Sequence, residues 1–133
     1  MLEAKSCLEA RGVAVYPEPV RNVDELLAAI ESSVDDQAAV LIHAGTESGI
    51  VDGQVSLAIE HMGPGRRVVW ATIQIPDPAW GAFSFEERTN ASIRNVVSEH
   101  DEGRVLDWNA ATVKHPEWTV DGIHISPEGC REY

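Results

Sequence analysis

Residues 38–49 read Ala38-Ala39-Val40-Leu41-Ile42-His43-Ala44-Gly45-Thr46-Glu47-Ser48-Gly49. The run from Ala38 to His43 is near-continuously apolar, the length of a strand and far short of a membrane span. A strand that is apolar at every position is expected to be covered on both faces, as in a parallel sheet between helix layers. The run breaks into a loop bounded by Gly45 and Gly49, and Asp52 to His61 then reads as a helix closed by Gly63-Pro64-Gly65. Strand, loop and helix in succession form the repeating unit of an α/β chain.

The same alternation extends to both sides. Leu2 to Arg11 reads as a helix stopped by Gly12, and Val13 to Tyr16 as a short β-branched strand that Pro17 and Pro19 end. Asn22 with Glu25 three residues on marks a helix start, and Val23, Leu26, Leu27 and Ile30 share its apolar face. Val68 to Ile75 is the next strand. Pro76 to Ser84, which holds Trp80, is a loop, and Ser84 with Glu87 caps a helix to about His100. Arg104 to Trp108 is a short strand, Asn109 to Ile125 a long loop, and Ser126-Pro127-Glu128 starts a final helix. The order α-β-α-β-α-β-α-β-α predicts a doubly wound, flavodoxin-like parallel sheet in three α/β/α layers, headed by a helix whose preceding strand is missing.

The 133 residues are one domain's worth, and 44% hydrophobic with 24% charged is globular composition. Ten Lys plus Arg against 22 Asp plus Glu give a net charge of -12, which disfavours DNA, RNA and anionic membranes as partners. No charged start followed by an apolar stretch marks a secretion signal, and no apolar run is long enough to cross a bilayer. Cys7 and Cys130 make no zinc signature. At their separation they read as unpaired thiols, with a disulfide left open.

In open α/β sheets ligands bind at the carboxyl ends of strands. Gly45 to Gly49, Pro76 to Trp80 and the loop Asp121-Gly122-Ile123-His124 are expected there. Asp121, three residues before His124 in a glycine-containing loop, can reach the imidazole, fix its tautomer and support the imidazolium; the same spacing also serves a local hydrogen bond or cap. His43, His61, His100 and His115 show no metal-ligand spacing, so no metal and no cofactor are expected. The cluster Glu99, Asp101 and Glu102 reads as a solvated turn.

Four stretches carry a resemblance: Val40-Leu41-Ile42-His43-Ala44-Gly45-Thr46, Val68-Val69-Trp70-Ala71-Thr72, Val105-Leu106-Asp107-Trp108, and the run from His115 through Asp121-Gly122-Ile123-His124-Ile125-Ser126-Pro127-Glu128-Gly129. Together they resemble the SGNH (GDSL-like) hydrolase family, nearest to the SGNH domain attached to membrane acyltransferases that O-acylate cell-surface polysaccharides. The resemblance implies His124 as catalytic base, Asp121 as its acid partner and the Gly45 N–H in the oxyanion hole. It implies as substrate an acyl (acetyl) ester of polysaccharide or a small acyl ester, on the extracytoplasmic face of the membrane. Trp80 and Trp118 are then candidate sugar-stacking residues, and Asn90 matches a residue often seen in the family.

The chain departs from the family in two ways. The family's nucleophilic Ser lies in a Gly-Asp-Ser turn just before a helix like Leu2 to Arg11. This chain starts inside that helix and reads as truncated there and at its C-terminus. Ser6 and Ser48 do not follow a Gly-Asp. Glu47 stands where the family usually presents an Asn donor to the oxyanion, and an ionised Glu has no proton to give. The expectation is therefore an acyltransferase or esterase domain inactive as this chain. The alternatives are a non-catalytic carbohydrate- or protein-binding descendant and an unrelated flavodoxin-like regulatory or structural domain. Without its first strand, Val13–Tyr16 and Ala38–His43 must pair or leave open edges, through which a homodimer is expected.

Overall fold

The computed structural model describes residues 2–16, 20–34, 39–76 and 85–133. The elements are α1 (Leu2–Ala10), α2 (Val23–Ser33), β1 (Ala39–Ile42), α3 (Asp52–Met62), β2 (Arg67–Ala71), α4 (Glu86–Glu99), β3 (Gly103–Leu106), α5 (Trp108–Lys114), a 3-10 turn (Pro116–Trp118) and α6 (Pro127–Glu132). The protein is an α/β domain built on a three-stranded parallel sheet in the order β1-β2-β3. Val40 lies opposite Val68 and Trp70 opposite Val105, so β2 is the centre of the sheet.

The helix starts are set by local chemistry. Asn22 accepts the Glu25 N–H, and Glu25 reaches back to the Arg21 N–H, a reciprocal cap shifted one residue from the usual box. The Gln54 side chain accepts the Val51 N–H at the head of α3. α4 begins after Phe85, one residue later than expected, and Ser84 itself lies outside the described residues. α3 packs between α2 and α4, and α4 lies on β2 and β3. Leu26, Ile30, Val55, Met62, Val68, Trp70, Ile93 and Val97 form the core between these helices and the sheet.

Three expectations are corrected. Val13 to Tyr16 forms no strand: Gly12 (φ +80) ends α1, and the segment that follows has no regular secondary structure, with Val13 and Tyr16 both 38% exposed and outside the sheet. Its four residues have no neighbouring ladder to hold them, and β1 does not take them as a partner. The loop expected over Asn109 to Ile125 opens instead with α5, because Asp107 caps it by accepting the Ala110 N–H, which ends β3 at Leu106. β1 is apolar throughout yet covered on one face only; Ile42 is buried while Leu41 is 38% exposed. Its position at the edge of the sheet explains this, and its outer edge is unpaired among the described residues.

The cysteines are paired. A disulfide joins Cys7 to Cys130 across a sequence separation of 123, because α1 packs on α6 and brings their Cα atoms to 6.4 Å. Arg11, at the end of α1, donates to the Cys130 carbonyl at 2.7 Å and the Arg131 carbonyl at 3.3 Å. Spacing alone favoured free thiols because a bridge between the ends of a chain depends wholly on where the fold puts them. No helix among the described residues is long and apolar enough to cross a membrane.

Closing a loop of more than a hundred residues is worth about 4–5 kcal/mol in the chain-entropy account. Cys7→Ser, or dithiothreitol, is therefore expected to lower the thermal midpoint by on the order of 10–20 °C, read by circular dichroism on oxidised and reduced protein. Coincident melts would show that α1 adds nothing to the cooperative unit.

Candidate functional site

The segment after α5 folds into a tight reversal. Thr119 and Ile125 face each other as an antiparallel bridge, the Val120 N–H donates to the His124 carbonyl at 2.9 Å, and the Ser126 N–H to the Trp118 carbonyl at 2.8 Å. Ser126 then caps α6 by accepting the Gly129 N–H at 3.0 Å, while its hydroxyl donates to the Glu117 carbonyl at 2.7 Å. Gly129 is required by proximity, since a Cβ there would lie 2.1 Å from the Trp118 carbonyl oxygen.

Asp121 organises the turn with both carboxylate oxygens. Oδ1 accepts the N–H groups of Ile123 (3.0 Å) and His124 (2.8 Å), and Oδ2 lies 2.6 Å from His124 Nδ1. Desolvation pulls the Asp121 carboxyl upward, but the His124 backbone N–H, the His124 imidazole and the Ile123 N–H outweigh it and hold the group at about 2. An ionised carboxylate only accepts, so Nδ1 carries the proton and the lone pair of the neutral ring lies on Nε2. Nε2 makes no hydrogen bond to any described residue, and the side chain is 43% exposed. The pair can thus take up a proton at Nε2 while the carboxylate stabilises the resulting charge.

The turn sits beyond the carboxyl end of β2. Gly122 (φ +86) rests its backbone on Pro76, where a Cβ would come within 2.7 Å of Pro76 Cβ. The segment Thr72–Pro76 leaves the sheet and is pinned by side chains. Asn90 accepts the Ile73 N–H at 2.7 Å and donates to the Ile73 carbonyl at 2.8 Å. Glu86 accepts the Ile75 N–H at 2.6 Å and the Asn109 Nδ2–H at 3.0 Å. Thr112 donates to the Gln74 side chain.

Gly45 follows β1 with φ +114 and closes the turn to Gly49, whose N–H donates to the Gly45 carbonyl at 3.0 Å. Glu47 is exposed at the tip of that turn and pairs with no described residue. Asp121 and His124 are brought together; no hydrogen bond among the described residues joins them to Gly45 or Glu47. Trp118 stacks on His115 (4.3 Å, 11°) and on Trp108 (6.0 Å, 22°), so its ring is engaged within the chain. Trp80 lies outside the described residues. No cluster of three His, Cys, Asp or Glu able to hold a metal occurs among the described residues.

One contact had no signal in the sequence. Tyr133 Oη and His43 Nδ1 share a hydrogen bond at 3.0 Å, and their rings stack at 5.7 Å with Trp108 edge-on to Tyr133 at 4.8 Å. Burial pushes the His43 imidazole down to about 4 and the Tyr133 hydroxyl well above its ordinary value. The partners are 90 residues apart, so no local spacing links them.

No protein-family model matches this chain, and no curated protein sequence matches it.

His43 gives a pH prediction. Its imidazole titrates near 6.5 when unfolded and at about 4 when folded, so the unfolded chain binds the extra proton. That stabilisation is complete above about 6.5 and is lost as pH falls toward 4, on the order of 3 kcal/mol in all. Asp121 acts in a separate window, lost only as pH falls from about 3.9 toward 2. Urea melts from pH 7 to 4 are expected to show the first loss, and His43→Gln to flatten it; an equal loss in that variant would assign it elsewhere.

Proposed function

We propose that this chain is an SGNH-type domain that handles acyl esters, acetyl esters of cell-surface polysaccharide being the expected substrate. The observation that carries the reading is the Asp121 Oδ2 to His124 Nδ1 contact at 2.6 Å with Nε2 left open. In the proposed reaction a serine hydroxyl attacks the acyl carbonyl carbon as its proton passes to His124 Nε2. Asp121 stabilises the imidazolium, and the Gly45 N–H donates to the developing oxyanion. Collapse breaks the bond to the sugar oxygen, which leaves with the proton from His124. Water or an acceptor hydroxyl then takes the acyl group from the serine by the same base.

The fold in this proposal is the doubly wound, flavodoxin-like sheet, with the nucleophile's strand lying along the outer edge of β1. Support comes from the parallel order β1-β2-β3, which leaves the outer edge of β1 unpaired among the described residues. The Cys7–Cys130 bridge favours an oxidising compartment, in keeping with an extracytoplasmic site. Glu47 favours a second reading, a non-catalytic descendant that binds carbohydrate or protein through the same end of the sheet. An exposed carboxylate two residues from Gly45 supplies no donor and repels an oxyanion. Losing one such donor costs roughly 3–4 kcal/mol of transition-state stabilisation.

Extension of the chain by a strand ending in Gly-Asp-Ser separates the two readings. Without it, p-nitrophenyl acetate turnover is expected at the buffer rate, since no described serine hydroxyl bonds to His124. With it, turnover is expected to appear and to vanish in His124→Ala. In the extended chain Glu47→Asn is expected to raise the rate by about an order of magnitude or more. A folded extended chain whose turnover ignores His124→Ala would overturn the esterase reading, and an unchanged rate in Glu47→Asn would place Glu47 away from the oxyanion.

A further inference from the structure

We propose that Glu86 and Asn90 are positioning residues for the Asp121–His124 pair, acting through the segment Thr72–Pro76 on which the pair's turn is seated. The inference rests on the proposed acyl-ester reading for its functional meaning, but the contacts that carry it stand on their own. Past Ala71 the chain leaves the sheet. Ile73 is fully buried, and one amide, Asn90, takes both its N–H and its carbonyl. Asn109 Nδ2 also donates to the Ile73 carbonyl at 3.1 Å and to Glu86 Oε1 at 3.0 Å, while Glu86 Oε2 accepts from Ile75. Glu86 and Asn90 are one turn apart on α4 and so present to the same segment.

The segment's last described residue, Pro76, meets Gly122 backbone to ring, at a position with no side chain to absorb a displacement and with φ +86. A shift of Pro76 is therefore passed to the turn in which Asp121 Oδ1 binds two backbone N–H groups and Oδ2 binds the imidazole. Glu86 is suited to this task as a carboxylate and not as an amide. Both its oxygens face donors, so Glu86→Gln turns an NH2 group toward either the Ile75 N–H or the Asn109 amide and breaks one contact. Asn90→Ala removes both contacts to Ile73.

The test is the carboxyl titration of Asp121, followed by carbon-13 NMR in the full chain with its disulfide intact. The wild-type midpoint is expected at about 2. In Glu86→Gln and Asn90→Ala it is expected to rise by about one unit toward the ordinary 3.9 as the turn loosens. Val97→Ala, a core truncation away from the segment, is expected to lower the thermal midpoint and leave the titration unmoved. Unchanged midpoints in both Glu86→Gln and Asn90→Ala would overturn the proposal, as would an equal rise in Val97→Ala. Should Asn90→Ala fail to fold, Glu86→Gln, which keeps size and shape, decides alone. A wild-type midpoint already near 3.9 would instead overturn the Asp121–His124 pair and the function proposed for it.

Discussion

Ile73 leaves the central strand into the interior with its N–H held by Asn90 and its carbonyl by the amides of Asn90 and Asn109. Each group left unmet in such a site costs about 1–3 kcal/mol. Two of them would consume much of the roughly 5–15 kcal/mol that holds an ordinary domain together. Because β2 lies between β1 and β3, the path of the chain beyond it fixes what can be built at the carboxyl end of the sheet. α5 is tied there through the Asn109 N–H, which donates to the Thr72 hydroxyl at 2.9 Å, and the Thr72 hydroxyl donates in turn to Asp107, the cap of α5. The Asp121 turn is tied there through Pro76. The apolar core supplies the bulk of the stability, and these polar contacts decide where loops with chemistry are placed.

Where a feature was set by neighbours in the chain, the sequence could be read directly. The apolar face of α2 (Leu26, Ile30), the Asn22 cap, the glycine stop after α1 and the Ser126 cap of α6 all follow from residues within one turn of each other. β1 and the segment after it were legible from the apolar run and its glycines. Features that rest on distant partners were not. Val13 to Tyr16 has strand-like residues, yet a strand needs a neighbouring ladder, and none reaches it. Trp108 looked like the end of a strand because it follows Val105-Leu106; the Asp107 cap, held also by Arg94 at 3.0 Å, turns it into the first residue of a helix. The cysteine bridge and the His43–Tyr133 contact span 123 and 90 residues and left no local trace.

The disulfide and the net charge of -12 bear on the same problem from opposite sides. Excess negative charge keeps a chain soluble and destabilises the compact state by self-repulsion. Among the described residues the sheet has three strands, with Leu41 exposed on its edge strand. Tying α1 to α6 shrinks the unfolded ensemble instead of enlarging the core, a remedy typical of small domains in oxidising surroundings. The bridge also fixes α6, which starts three residues after His124 and ends beside Tyr133, so the same constraint steadies the His43 contact and the downstream wall of the candidate site.

The candidate site divides into a part that is local and a part that is not. Asp121 reaches His124 within one turn, and the glycine between them supplies the left-handed backbone that the reversal requires. Such a pair survives any change in the rest of the domain that leaves Pro76 in place. An oxyanion hole and a nucleophile, by contrast, must converge on His124 Nε2 from other strands. In the proposed reading Gly45, with φ +114, would offer its N–H to that role, and the exposed Glu47 would oppose it by charge. A lineage that lost ester chemistry would shed the non-local parts first, because nothing in the turn itself depends on them. In the proposed acyl-ester reading, the local pair supplies the base and its partner, and activity then depends on what faces Nε2 and on the sign of the charge beside Gly45.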